Sequence, residues 1–211
     1  MKKQKPLIGV LGGMGPLATV DFLHKLVQEM PAASDQDHVP VVTWCVPQIP
    51  DRQKALAGTG ESPLPAMLEG VYRLISAGAT RIVIPCNTAH NWFDAIAEKC
   101  SVPLIHIVDA TLSVMRAAAP GDCGPVGLIA TRGMLASDLY QTRFKAEGIE
   151  CLCNTDEEME QYFTPGCYAV KRGAIETGGQ LLESAAEALL ARGAKQLILA
   201  CTEVPVALEH I

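Results

Sequence analysis

Gly78-Ala-Thr-Arg-Ile-Val-Ile-Pro-Cys-Asn-Thr88 and Gly193-Ala-Lys-Gln-Leu-Ile-Leu-Ala-Cys-Thr-Glu203 are two versions of one segment, 115 residues apart. In each, a glycine suited to ending a helix precedes an apolar run, and a cysteine stands past its carboxyl end. Around the first copy the pattern predicts a strand at 7–11, the glycine loop Gly12-Gly13-Met14-Gly15-Pro16, and a helix carrying Leu17, Val20, Leu23, Val27 and Met30. A strand at 41–46, a helix at 66–77, a strand at 81–84 and a helix at 89–99 follow. A strand at 104–108 and a helix at 109–118, closed by Pro120-Gly121, lead to the second copy. There the expected order is a strand at 126–130, a helix at 137–147, a strand from Ile149, a helix at 179–191 and a strand at 196–200. Alternating β and α predicts an α/β fold of two similar parallel-sheet halves, 1–107 and 108–205. Ligands of such sheets sit beyond the carboxyl ends of the strands, where Cys86 and Cys201 both fall. If the halves face one another, the two thiols converge on one cleft.

Composition narrows the function classes. The chain has 211 residues, 49 % apolar and 19 % charged, enough to bury a substantial core. A formal charge of −6 argues against nucleic acid or an anionic membrane as the main partner, and is compatible with a small acid in a locally positive pocket. Met1-Lys-Lys-Gln-Lys leads straight into Pro6 with no export signal, and the apolar runs are too short to span a bilayer. The expected location is therefore the cytoplasm, with the eight cysteines reduced. Cys45, Cys100, Cys123 and Cys167 read as small packing side chains. Cys151-Leu-Cys153 places two thiols on one strand face with no second pair at zinc spacing, so no metal site is expected.

Two thiols can move a proton off one face of a carbon and onto the other, one as thiolate base and one as thiol acid. A free thiol titrates near 8.5, so one partner needs help toward thiolate. Cys86 precedes a predicted helix whose amides would favour the anion. Asn87, Thr88 and Thr202 are ordinary capping residues that can also help backbone amides hold a carboxylate. Glu203 beside Cys201 would favour the protonated thiol or accept an ammonium group. His90 reads as a helix-face residue. Arg52, at the end of the proline-stiffened loop Pro47-Gln-Ile-Pro50-Asp51, could hold a carboxylate in bidentate fashion, and Lys171 could do so as a point charge, although each alone reads as a solvated cation.

Gly13-Met-Gly15-Pro-Leu-Ala18 fits the alanine-ended dinucleotide fingerprint only loosely. Pro16 removes an amide where phosphate would sit, and Asp35 and Asp37 fall in a polar loop. The loop is expected instead to let backbone approach a small ligand.

Together, Gly-Gly-Met-Gly-Pro at 12–16, Pro-Asp-Arg at 50–52, Pro-Cys-Asn-Thr-Ala-His at 85–90, Ala-Thr at 130–131 with Ser137 and Tyr140, and Ala-Cys-Thr-Glu-Val-Pro at 200–205 resemble the aspartate/glutamate racemase superfamily, within it the aspartate racemase branch. Glutamate racemases carry Asp-Ser near the start and Cys-Thr-His at the second cysteine, where this chain has Gly-Gly-Met-Gly and Cys-Thr-Glu. The resemblance implies two pseudo-symmetric Rossmann-like domains with the active site in the cleft between them, no cofactor, and a homodimer. It implies Cys86 and Cys201 as the acid/base pair. Arg52, Asn87, Thr88 and Lys171 would bind the acidic groups of aspartate, with glutamate as a second candidate substrate. Met14, Thr131, Thr202 and Glu203 would complete the pocket. Met134 replaces the family's usual Thr and would alter the wall near Thr131. The resemblance also implies about one more helix after Ile211, with 206–211 beginning a segment that returns to the first domain. Rival readings are maleate isomerisation, decarboxylation of a substituted malonate, and a non-catalytic sensor of a small acid.

Overall fold

The computed structural model describes residues 6–118 and 124–208. Pro120-Gly121, expected to close the crossover helix, Cys123 and residues 209–211 lie outside the described residues. The chain divides into two compact units, Met1–Ile107 and Val108–Ile211.

In the first unit the order is β1 (Ile8–Gly12), α1 (Pro16–Gln28), a 3₁₀ turn (Asp35–Asp37), β2 (Val41–Cys45), α2 (Arg52–Leu56), α3 (Leu64–Ser76), β3 (Arg81–Val83), a 3₁₀ helix (Thr88–Trp92) and α4 (Phe93–Ala97). Helix α5 (Ile107–Ala118) starts at the boundary. The second unit continues with β4 (Val126–Leu128), α6 (Arg132–Ala136), α7 (Leu139–Ala146), β5 (Cys151–Cys153), α8 (Asp156–Glu158), a π-helical turn (Met159–Phe163), α9 (Thr164–Lys171), α10 (Ile175–Ala191), β6 (Gln196–Ile198) and α11 (Glu203–Leu208). Each unit holds a three-stranded parallel sheet, ordered β2-β1-β3 and β5-β4-β6, with its first strand in the middle.

The sequence repeat is a structural repeat down to single hydrogen bonds. Gly78 and Gly193 take φ of 91° and 100°, a conformation that costs glycine little. Their N–H groups bond Ile75 O and Leu190 O, and those of Ala79 and Ala194 bond Leu74 O and Leu189 O, so both helices end in the same turn. Thr80 N–H then reaches Leu7 O, and Lys195 N–H reaches Pro125 O, seating each incoming strand beside the central one. Gly9 and Gly127 occupy matching places in β1 and β4. A Cβ at Gly9 would stand 2.9 Å from Ala79 Cβ, and one at Gly127 would stand 2.7 Å from Leu197 Cδ2 and 3.1 Å from Leu189 Cβ. The helix and the neighbouring strand close on the sheet only where the side chain is hydrogen. Gly127→Ala is expected to lower stability by about 1–3 kcal/mol through overpacking, measured by urea denaturation. Stability equal to wild type would show that the contact relaxes freely.

Several expectations need correction. The strand expected at 104–108 shrinks to one bridge between Ile82 and Leu104. Ile105 N–H still bonds Ile82 O, but Pro103 has no N–H to lengthen the ladder and Ile107 already begins α5. The helix expected at 89–99 is a 3₁₀ helix followed by the short α4. Asn91 Nδ2 donates to Thr88 O, competing for a carbonyl that an α-helix would use at its fourth residue. The helix expected at 137–147 is α7, Leu139–Ala146, and the shorter α6 precedes it, separated by Ser137 and by Asp138, which has φ 53°. Residues 206–208 continue α11, which packs on α9 and α10. In the glycine loop, expected to let backbone approach a small ligand, the first two glycines also meet close packing within the unit. Thr19 Oγ1 accepts from Gly13 N–H and donates to Gly15 O, and a Cβ at Gly13 would fall within 2.5 Å of the Val46 backbone. Among the described residues no helix is long and apolar enough to cross a membrane.

Candidate active site

Because the sheets are parallel, each unit collects its chemistry-bearing residues at one sheet edge. In the first unit, Met14 follows β1, Arg52 follows β2, and Cys86 follows β3. Cys86 and Met14 belong to one buried cluster with Ile49 and Ala89. A tight turn, with Cys86 N–H bonding Ile84 O at 2.8 Å, stops the strand at Pro85 and turns the chain at the thiol. Asn87 and Thr88 are buried beside it. Thr88 Oγ1 accepts from Gln53 Nε2 at 3.2 Å, which ties the segment after Cys86 to helix α2 and so to Arg52. The Arg52 guanidinium is already engaged. Nη1 donates to Ile49 O and Pro50 O at 2.9 and 2.7 Å, so the arginine fastens its own proline loop with one of its three nitrogens.

His90, expected on a helix face, is buried and clamps the Cys86 loop. Its Nε2 accepts from Ile107 N–H at 3.1 Å, so its Nδ1 carries the proton and donates to Cys86 O at 2.9 Å. Burial, with a further contribution from His106, lowers its pKa to about 4 against the opposing backbone bonds. The ring is a neutral brace that fixes the backbone carrying the thiol.

In the second unit, Thr131 follows β4 and Cys201 follows β6, the strand paired with it. Thr131 caps α6, its Oγ1 accepting from Met134 N–H. The buried Met134 is the third residue of that helix. Thr202, half-buried, precedes Glu203, the first residue of α11.

Cys201 sits among polar and sulfur neighbours. Its thiol donates to Glu203 Oε2 at 3.2 Å and lies 3.8 Å from Cys167 Sγ. On the other carboxylate oxygen, Glu203 Oε1, Lys171 Nζ donates at 2.6 Å. The Cys167 contact, then burial, then the Glu203 charge push the Cys201 thiol well above its ordinary range, while the Glu203 backbone N–H pulls the other way. Cys201 is a protonated acid at neutral pH. Burial alone would lower the Lys171 ammonium, but the Glu203 carboxylate outweighs it and holds Lys171 charged.

Cys167 is buried in the core, as expected of a packing side chain, and its Sγ also lies 3.8 Å from Cys201 Sγ. Thr155-Asp-Glu-Glu158 is a capping box in which Thr155 Oγ1 accepts from Glu158 N–H and Glu158 Oε2 from Thr155 N–H, so a helical stretch starts there. Cys167 and Lys171 stand four apart within α9 and so share one helix face. Close packing aims that face, since a Cβ at Gly178 of α10 would meet Val170 Cγ2 at 2.6 Å and Gly166 O at 2.9 Å.

The Glu203 charge yields a test. Glu203→Gln is expected to move the pH midpoint of Cys201 alkylation down by at least about one pH unit, because the like charge is gone and the Lys171 ammonium is left facing the thiol. Peptide mapping of iodoacetamide labelling against pH reads it. An unchanged or raised midpoint would contradict the electrostatic assignment. A separate cavity of about 630 Å³, lined by Val42, Trp44, Glu69, Tyr72 and Arg73, holds none of these groups.

With this geometry in view, the likeness to known proteins is informative. The profile of the Asp/Glu/hydantoin racemase family matches residues 11–211. The broad-specificity amino-acid racemase RacX of Bacillus subtilis is 28 % identical over 97 % of this chain and 88 % of its own. The solved structure of Picrophilus torridus aspartate racemase superposes with a TM-score of 0.86 at 31 % identity, covering 96 % of this chain and 83 % of that one. Glutamate racemase from Campylobacter jejuni shares the fold, with a TM-score of 0.66 at 22 % identity over 97 % of this chain and 75 % of that one. The chain belongs to the Asp/Glu/hydantoin racemase family, and as a member it is an isomerase of the amino-acid racemase class.

Proposed function

We propose that the protein racemises an acidic amino acid, aspartate first and glutamate second, with Cys86 and Cys201 as its acid/base pair and without a cofactor. The observation that carries this reading is the equivalence of the two thiols: each follows the matching strand of a repeated unit, and both are buried. One thiolate removes the α-proton from one face of the substrate carbon, and the opposite thiol delivers a proton to the other face. The protonated state of Cys201 makes it the acid in the first direction and Cys86 the base. After one turnover the roles are exchanged, and the reverse direction restores them.

Asn87, Thr88 and Thr202 would offer donors to the α-carboxylate. The free edge of the Arg52 guanidinium serves the same purpose. Lys171 would meet the side-chain carboxylate while Glu203 accepts the ammonium, so the pair that now satisfies itself would be satisfied by a zwitterion. The same self-pairing favours a second reading. A lysine already neutralised by its own glutamate is a weak selector of dicarboxylates, which agrees with a wider amino-acid range such as the RacX relative's name describes.

The test is chiral chromatography of L-Asp, L-Glu and a neutral L-amino acid after incubation with the protein, alongside maleate and a substituted malonate followed by proton NMR. Racemisation of L-Asp supports the proposal. Turnover of maleate or of the malonate instead, or tight aspartate binding with no turnover, overturns it.

A further inference from the structure

Cys167 clusters with Cys201 and Glu203, and racemisation does not account for it, since a two-thiol mechanism has no need of a third cysteine. All three are buried, and one ligand atom from each lies within 4.8 Å of the others. The two sulfurs are 3.8 Å apart, and Cys201 Sγ is 3.2 Å from Glu203 Oε2. Zinc binds thiolate at about 2.3 Å and carboxylate oxygen at about 2.0 Å in a tetrahedron, which separates two sulfurs by about 3.8 Å and sulfur from oxygen by about 3.5 Å. The sulfur pair already matches a tetrahedral edge, and the edge from Cys201 to the carboxylate needs only a few tenths of an ångström.

The surroundings match as well. Lys171 donates to Glu203 Oε1 and leaves Oε2 toward the sulfurs, the arrangement of an outer-sphere group that orients a metal-binding carboxylate. Binding exchanges the two S–H bonds for S–metal bonds and releases both protons to solvent; two thiolates, one carboxylate, the lysine ammonium and a divalent cation then sum to zero charge, so the buried site would be neutral when filled. Thiolate ligands select a thiophilic ion and disfavour magnesium or calcium. The ligands come from α9 and from the turn into α11, elements packed directly on one another.

We infer that Cys167, Cys201 and Glu203 form a binding site for a thiophilic divalent cation of the Zn²⁺ type, with the fourth position left to water or substrate. The inference that Zn²⁺ switches racemisation off by occupying the Cys201 sulfur rests on the proposed function. Binding itself does not.

The test titrates Co²⁺ into the full chain under a non-chelating reductant and follows thiolate-to-cobalt charge-transfer absorption. One equivalent is expected to saturate the signal, and Zn²⁺ to displace it. Cys167→Ser and Glu203→Gln are expected to weaken Zn²⁺ binding by more than the roughly 10- to 100-fold that loss of an outer-sphere partner costs. Lys171→Met is expected to fall within that range. Folding of each variant is checked by circular dichroism, and two different ligand substitutions guard against one that fails to fold. The paired variant Cys151→Ser/Cys153→Ser and the variant Cys86→Ala are expected to keep the signal. No charge-transfer band, or a band lost with Cys151 and Cys153 and kept without Cys167, overturns the site. A chain that binds cobalt as expected and never racemises sinks the proposed function while the metal site stands.

Discussion

Cys86→Ala and Cys201→Ala are each expected to lower aspartate racemisation by about 10²- to 10⁴-fold, the range attached to loss of a positioned acid or base. In the proposed mechanism both losses belong to the rate of the chemical step, because each thiol would meet a proton that moves and neither would be needed to hold the carboxylates. The substrate KM should therefore change far less than kcat. The reason both matter equally is that inversion requires a group on each face. A thiol on one face alone can remove and return a proton without changing handedness. Cys167→Ala is the informative comparison: the thiol 3.8 Å from Cys201 perturbs the acid but transfers no substrate proton, so its loss should alter the pH profile more than the rate at its optimum. Chiral chromatography of initial rates reads all three. Wild-type rates in both Cys86→Ala and Cys201→Ala would end the two-thiol account.

The second large effect falls on stability. His90 holds Cys86 O and Ile107 N–H, stacks on Phe93 at 5.8 Å between ring centroids and meets His106 edge-on at 4.9 Å. His90→Ala removes two buried hydrogen bonds and leaves a cavity of ring size, with an expected cost of about 3–5 kcal/mol. The same residue makes stability depend on pH. Its pKa is about 4 folded, against 6.5 for an unperturbed histidine. Between those values the unfolded chain binds a proton that the folded one refuses. The His90 contribution is therefore complete above pH 6.5 and falls by about 3 kcal/mol as pH drops to 4. The chain's two tryptophans, Trp44 and Trp92, both lie in the first unit, so fluorescence-monitored urea unfolding reports on the unit that contains His90. Wild type should lose stability across that window and His90→Ala should lose less. Parallel pH curves for the two would remove the brace from the account.

The repeat made the architecture legible. Matching Gly78 to Gly193 and Cys86 to Cys201 implied two parallel α/β units, and the bonds at Ala79 and Ala194 show the correspondence in detail. What stayed hidden depended on side chains that act across long sequence distances. Nothing local marks His90 as a buried clamp, because its partner Ile107 lies at the start of another helix. Nothing local ties Lys171 to Glu203, 32 residues apart. Arg52 was read as an open guanidinium because loop prolines signal stiffness, while the carbonyls they leave facing inward become visible only in three dimensions. The strand at 104–108 was over-read because an apolar run next to proline satisfies the pattern without satisfying the ladder.

The measurement closest to the central claim is the fate of the α-proton in deuterated water at low conversion, starting from L-Asp. With a separate thiol on each face, the D-Asp formed carries deuterium while the remaining L-Asp keeps its protium, because the base that returns a proton to the original face still holds the one it took. Mass spectrometry of the separated enantiomers is expected to show this asymmetry. Equal early deuterium content in both enantiomers would contradict it.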